Sequence, residues 1–233
     1  MSTDAPGGVR QLMRNCRKAA LATTLAGQAR PYVSLVTVAF DMDGSPILLL
    51  SQLADHSRNI EADPRVALLF DGTQGHANPQ QGPRVTLEGR IEPDPSPPLR
   101  RRFLAAHPAA KLYADFADFA LYRVKAERAH WVGGFGKAQW FDQGLILAPA
   151  LAAAFAQAEN EILQSINQQQ SADLATLAVG QGQPPGLDWQ LVAIDPDGCD
   201  LVAGKAWQRI SFPISLCRPD EVATELAEMA VKK

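Results

Sequence analysis

Apolar residues Val9, Leu12, Met13, Cys16 and Ala20 recur at intervals of three and four, which predicts that the chain opens with an amphipathic helix. The period then shortens. Residues 20–25 read as a short strand. Residues 31–40, with Tyr32, Val33, Val36, Thr37, Val38 and Phe40, read as a long one, because β-branched and aromatic side chains suit a pleated surface. Asp41-Met-Asp-Gly44 predicts a hairpin turn through residues that tolerate positive φ. Residues 47–50 are continuously apolar, the pattern of a strand covered on both faces. A short helix is expected over 56–62, ended by Asp63-Pro64, then a strand over 66–70. A polar loop over 72–83 leads to a strand over 85–91. Helices are expected over 99–106 and 109–119, with a last strand over 121–132. Short strands joined by turns, with helices between only some of them, indicate a barrel rather than a parallel sheet.

The pattern changes after Phe141. Leu151, Phe155, Ala158, Ile162 and Ile166 trace one helical face. A Gly/Gln/Pro loop occupies 180–186, and apolar runs at 191–194 and 201–203 flank Asp195-Pro-Asp-Gly-Cys-Asp200, which predicts a hairpin. A third strand is expected over 207–212. A final helix follows Pro219, its stripe Val222, Leu226 and Met229, with acidic residues at its start and Lys232-Lys233 at its end, as the helix dipole favours. The expected division is a first domain over 1–148 and a small α/β domain over 149–233; the fold class is α+β.

Composition narrows the function. Hydrophobic residues are 46% and charged residues 20% of the chain, which places it with globular proteins. A net charge of −3 gives no electrostatic footprint for nucleic acid or for an anionic membrane. The Arg100-Arg-Arg102 run reads as the solvated face of a helix. Cys16, Cys199 and Cys217 are scattered and odd in number, which predicts neither a disulfide framework nor a zinc site. The first eight residues lack a signal-peptide layout, and no apolar stretch is long enough to span a bilayer. A soluble cytoplasmic protein is the expectation.

Candidate chemistry concentrates where the apolar run ends. Ser51 and Gln52 lead through a short loop into a helix whose first turn holds His56, Ser57 and Arg58. Free amides at a helix N-terminus, hydroxyls and a guanidinium suit a phosphate. The alternative is that Ser57 caps the helix and Arg58 is a solvated charge. Gly133-Gly-Phe-Gly-Lys137 fails as a nucleotide loop, since Ala138 stands where Ser or Thr is needed, and reads instead as a tight bend. His56, His76, His107 and His130 have no partners at metal-ligand spacing, and nothing marks a catalytic nucleophile. Trp131, Trp140 and Phe141 read as core or interface residues, with stacking on a cofactor as the alternative.

Together these stretches resemble the pyridoxamine-phosphate-oxidase-like FMN-binding split barrels, in the branch of HugZ-type heme-utilisation proteins. The resemblance is carried by Arg30-Pro-Tyr-Val-Ser-Leu-Val36, Leu48-Leu-Leu-Ser-Gln-Leu-Ala-Asp-His-Ser-Arg-Asn-Ile60, Asp63-Pro-Arg-Val-Ala-Leu-Leu69, Arg84-Val-Thr-Leu-Glu-Gly-Arg90 and Trp131-Val-Gly-Gly-Phe-Gly-Lys-Ala138. Residues 157–230 resemble the small domain often fused behind that barrel. The resemblance implies a homodimer binding flavin mononucleotide, its phosphate held by His56, Ser57 and Arg58 with Ser51 and Gln52 beside it. Ser34 and Val36 would approach the flavin, and Arg84 and Thr86 would come from a later strand. Ser34 stands where the better-known oxidases have arginine, and His56 where they have lysine. The second domain lacks both histidines of the His-Met-Asn-x-Asp-His element common in relatives, reading Ser165-Ile-Asn-Gln-Gln-Gln170. The implied function is an FMN-dependent oxidoreductase; the alternatives are a heme-binding or heme-degrading protein and a non-catalytic binding module.

Overall fold

The computed structural model describes residues 5–232; residues 1–4, where the N-terminal layout was read, and the lysine at 233 lie outside the described residues. The chain forms two units, one ending at Ile146 and the next beginning at Leu147.

The first unit is α+β. A helix, α1 (Ala5–Arg14), precedes strands β1 (Lys18–Thr24), β2 (Pro31–Thr37), β3 (Ala39–Phe40) and β4 (Pro46–Ser51). Helix α2 (Asp55–Ala62) leads to β5 (Arg65–Asp71) and β6 (Arg84–Pro93), and α3 (Pro97–Ala106) leads to β7 (Phe119–Val132) and β8 (Ala138–Phe141). All pairings are antiparallel, in the order β2-β1-β5-β6-β7-β4-β3, with β8 also on β7. The long β7 pairs with β6 along most of its length, with β4 at its start and with β8 at its end, so the sheet curls into a split half-barrel. Gly89 on β6 permits the bulge at Glu127 that bends β7, since a Cβ there would lie 2.1 Å from the Lys125 carbonyl oxygen.

Alternation decides which face is core. The aligned row Leu21, Leu68, Leu87 and Ala129 points inward and is sealed from solvent. Strand β4 is buried on both sides because Leu48 and Leu50 join this core while Ile47 and Leu49 meet Leu99 and Phe103 of α3. That accounts for its unbroken apolar run.

Three expectations are corrected and one strand is added. The strand expected over 31–40 is split at Val38: residues 31–37 pair with β1, Val38 N still bonds Arg17 O in that register, and Ala39 and Phe40 pair with β4 instead. The helix expected over 109–119 is only a 3-10 turn, Pro108–Leu112, followed by turns in which Tyr113 and Phe119 pack ring to ring. Arg102 is buried, because it lies on the same face of α3 as Leu99 and Phe103; its Nε donates to Phe40 O at 3.0 Å. Strand β8 follows the expected bend at 133–137 and forms a hairpin with β7, though its mixed Ala-Gln-Trp-Phe sequence carries no strand pattern.

The second unit holds α4 (Pro149–Gln169), α5 (Ser171–Val179), strands β9 (Gln190–Asp195), β10 (Gly198–Ala203) and β11 (Ala206–Ser211), and α6 (Val222–Val231). Its sheet is antiparallel in the order β11-β10-β9. Asn167 ties α4 to β9 by donating to Leu191 O and accepting from Leu191 N. Arg209 forms a two-pronged bond to Asp195, both contacts 2.8 Å, with both side chains essentially sealed from water. Among the described residues no helix is long and apolar enough to cross a membrane.

Candidate functional site

The nine residues singled out from sequence fall into two groups. The first surrounds the start of α2. Ser51 ends β4; its hydroxyl donates to the Asp118 carboxylate at 2.6 Å, and its carbonyl accepts the Ser57 hydroxyl at 2.7 Å. Ser57 is therefore buried as a staple between strand and helix, and α2 has no side-chain N-cap. Arg58 turns outward, its side chain 59% exposed, paired with Asp55 one turn earlier and bonded to Leu53 O at 3.2 Å. The Gln52 side chain is exposed, while its amide donates to Asp118 O. His56 Nδ1 lies 3.2 Å from the Ser34 hydroxyl, and His56 Nε2 is buried without a partner. Burial lowers the His56 pKa, and the nearby Asp55 charge only partly opposes this, so the ring is neutral at pH 7.

Val36, Ser51 and His56 line one cavity of about 350 Å³, completed by Leu35, Leu49, Leu50, Tyr113 and Phe119. The cavity is near the small end of ligand-sized pockets. A phosphate here would meet two carboxylates, Asp55 and Asp118, each already engaging a group assigned to it from sequence. The sequence offered no sign of Asp118, which reaches Ser51 from the start of β7.

Arg84 and Thr86 belong to a second group, on the outer face of the sheet. The register aligns Leu35, Ala20, Leu69, Thr86, His130 and Trp140 in one row across β2, β1, β5, β6, β7 and β8. This row faces solvent: Leu35 is 73%, Leu69 42% and Trp140 45% exposed. Val33, 61% exposed, begins the adjacent row, which continues through Ala22, Ala67 and Glu88 to Arg128. Small side chains at Ala20, Ala22 and Ala67 leave the middle of the face shallow. His130 and Trp140 stack with centroids 4.7 Å apart and planes 24° from parallel, and the Arg128 guanidinium lies 4.5 Å from the Trp140 centroid. Arg84 reaches Gly82 O at 3.3 Å and Gln80 at 3.3–3.4 Å, all long contacts.

The histidines differ sharply in availability. His107 Nε2 donates to Val38 O at 2.8 Å and its Nδ1 lies 3.4 Å from Arg17. His56 is held by Ser34, and His76 sits on the exposed 72–83 loop. The His130 side chain has no hydrogen bond to any described residue, and neither ring nitrogen is sealed from water. A flat macrocycle bearing carboxylates and a metal centre fits this face: apolar side chains below it, a ring nitrogen beside them, guanidinium groups at the edge. Sequence reasoning missed His130 because it lacks a partner histidine, yet the bend at 133–137 that brings Trp140 beside it was readable. Among the described residues no cluster of three or more His, Cys, Asp or Glu could hold a metal ion by itself.

Comparison with known proteins agrees with the architecture. The structure superposes on a protein of unknown function from Agrobacterium tumefaciens strain C58, 28% identical, with a TM-score of 0.79 over 97% of this chain and 95% of that one. It also matches a heme binding protein from Mycobacterium smegmatis, 26% identical, with a TM-score of 0.58 and full coverage of both chains. A curated relative, the chloroplastic non-canonical heme oxygenase HOZ of Arabidopsis thaliana, is 34% identical over 111 residues, which is 46% of this chain and 33% of that protein. The match thus spans about a third of that relative's length. Residues 2–145, comprising nearly all of the curled sheet and its helices, match the family described as "CREG, beta-barrel". By that match the chain belongs to the CREG beta-barrel family.

Proposed function

We propose that this protein binds heme against the outer face of its split-barrel sheet. The observation that carries the reading is the solvent-facing row from Leu35 to Trp140, an apolar strip that a monomeric surface ordinarily keeps covered. The names of the plant and mycobacterial relatives give the ligand class. Heme, when bound, supplies a redox-active iron centre. The chain's own residues supply the remainder: Leu69 shields the macrocycle from water, Trp140 offers an aromatic surface beside it, and Arg84 and Arg128 face its carboxylates.

Addition of hemin to the purified protein is expected to give a saturable Soret band. Leu69→Asp, which sets a carboxylate beneath the macrocycle, is expected to abolish it. A wild-type protein with no saturable change would remove the proposal.

A second reading, an FMN-dependent oxidoreductase, is favoured by the cavity lined by Val36, Ser51 and His56. Against it stand the outward Arg58 and the carboxylate at Ser51. FMN fluorescence quenched stoichiometrically by the protein would support this reading, and unquenched FMN at micromolar protein would reject it.

A further inference from the structure

The geometry points to His130 as the side chain that ligates the heme iron, with Arg84 beside it receiving a heme carboxylate. This rests on the heme reading above and assigns it specific atoms. A ligating nitrogen must be unprotonated, free of other bonds and open to the ligand. His107 spends its ring on Val38 O and Arg17, and desolvation there outweighs the Val38 bond in lowering its pKa. His56 presents Nδ1 to Ser34, and its Nε2 is closed off from the cavity it lines. His76 stands on an exposed polar loop and belongs to none of the strands that carry the row.

Thiolate ligation finds no better site in the split-barrel unit. Cys16 is its one cysteine; burial and the Asp71 charge push the thiol up to about 11, and it donates to Leu12 O. The methionines Met13 and Met42 are packed in the interior.

His130 is free of other side-chain bonds and open to a ligand on the outer face. Its stacking on Trp140 covers a face of the imidazole, whereas the nitrogen lone pairs lie in the ring plane, so the stack orients the ring and leaves its edge open. The partners of a ligand of this shape lie at suitable spacings. Leu69 is two strands away, roughly 10 Å at the ordinary strand separation, at the rim of a macrocycle centred there, whereas Leu35, roughly 19 Å away, lies beyond it. Arg84 is the diagonal neighbour of His130 across the β6–β7 ladder, about 7–8 Å away. Its long contacts to the 80–82 segment are readily exchanged for a charge-assisted bond to a carboxylate. Arg128, two positions before His130 on the same strand, is already committed to Glu88 at 2.8 Å and to the Trp140 ring. Arg84 is thus the freer of the two cations.

The test is spectroscopic and needs no turnover. Hemin is titrated into wild-type protein, His130→Ala, His130→Gln and, as a histidine outside the row, His76→Ala, with absorption and electron paramagnetic resonance spectra recorded at saturation. The wild type and His76→Ala are expected to share one histidine-ligated spectrum. His130→Ala is expected to lose affinity by more than the roughly 10–100-fold that second-shell losses cost a metal site, with a shifted Soret band. Added imidazole should restore the wild-type spectrum in His130→Ala, where the missing ring leaves a vacancy beside Trp140. His130→Gln keeps a planar polar group of similar size, so circular dichroism matching the wild type shows that lost ligation is not lost folding. Wild-type uptake of hemin with an unchanged spectrum and affinity in both His130 variants would overturn the assignment while sparing the heme reading. No uptake by the wild type would overturn both.

Discussion

Leu69 offers a quantitative test of the outer face. It is 42% exposed in the free protein. Covering a leucine fully stabilises by about 1.5–3 kcal/mol, and the exposed fraction scales this to about 0.6–1.3 kcal/mol gained when a ligand lies over it. Leu69→Ala should therefore weaken hemin about 3- to 8-fold. Leu35→Ala, at the far edge of the same face, should leave both hemin affinity and the urea midpoint unchanged. The assay is a Soret titration of the three proteins at matched ionic strength, with urea unfolding in parallel. Equal affinities for wild type and Leu69→Ala would refute the placement of the ligand over β5. An equal loss in Leu35→Ala would refute it too, because the ligand would then lie over the far edge of the face.

Other expectations concern the scaffold. Replacing Arg209 by Met removes the guanidinium that neutralises the buried Asp195 carboxylate; in the native state burial alone would lower the Arg209 pKa, and Asp195 and Asp200 more than reverse this. The cost should be about 3–5 kcal/mol, read as loss of the buried Trp189 fluorescence signature at lower urea, and partly recovered in the Asp195→Asn/Arg209→Met double variant. Gly89→Ala should cost about 1–3 kcal/mol or more, seen in thermal unfolding, since backbone rather than a movable side chain occupies the space. His56 and His107 both have pKa values lowered by burial, so their contribution is full above the unfolded value of about 6.5 and declines as pH falls below it. Wild-type stability should drop between pH 7 and pH 5, and His107→Ala should be less stable at pH 7 by about 1–3 kcal/mol, with Val38 O left unpaired, yet lose less on acidification.

Much of the architecture was legible in the sequence because local patterns and tertiary burial agree there. Alternation in β5 and β6, the unbroken run of β4 and the glycine-rich bend after β7 each state their environment in a few residues. Where a long-range partner decided the outcome, the sequence was silent. The chain beyond Thr37 changes partner from β1 to β4, and Arg102 is drawn inward by Phe40 O, a group 62 positions earlier. Strand β8 exists because β7 offers it an edge, and α5, which follows α4 with only Gln170 between them, carries no sequence signal that assigned it. The candidate site shows the same division. Ser34, Val36, Ser51, His56 and Ser57 do gather about the start of α2. The roles of Ser51, Ser57 and Arg58 depend on Asp118, Ser51 O and Asp55, partners that motif reading does not weigh. His130 emerges only when six strands are laid in register.

The most direct measurement is a competitive titration of the wild-type chain with hemin and with FMN. Binding on the outer face predicts a saturable Soret band that excess FMN leaves in place. Stoichiometric capture of FMN, with hemin producing only the spectrum of the free compound, would contradict it.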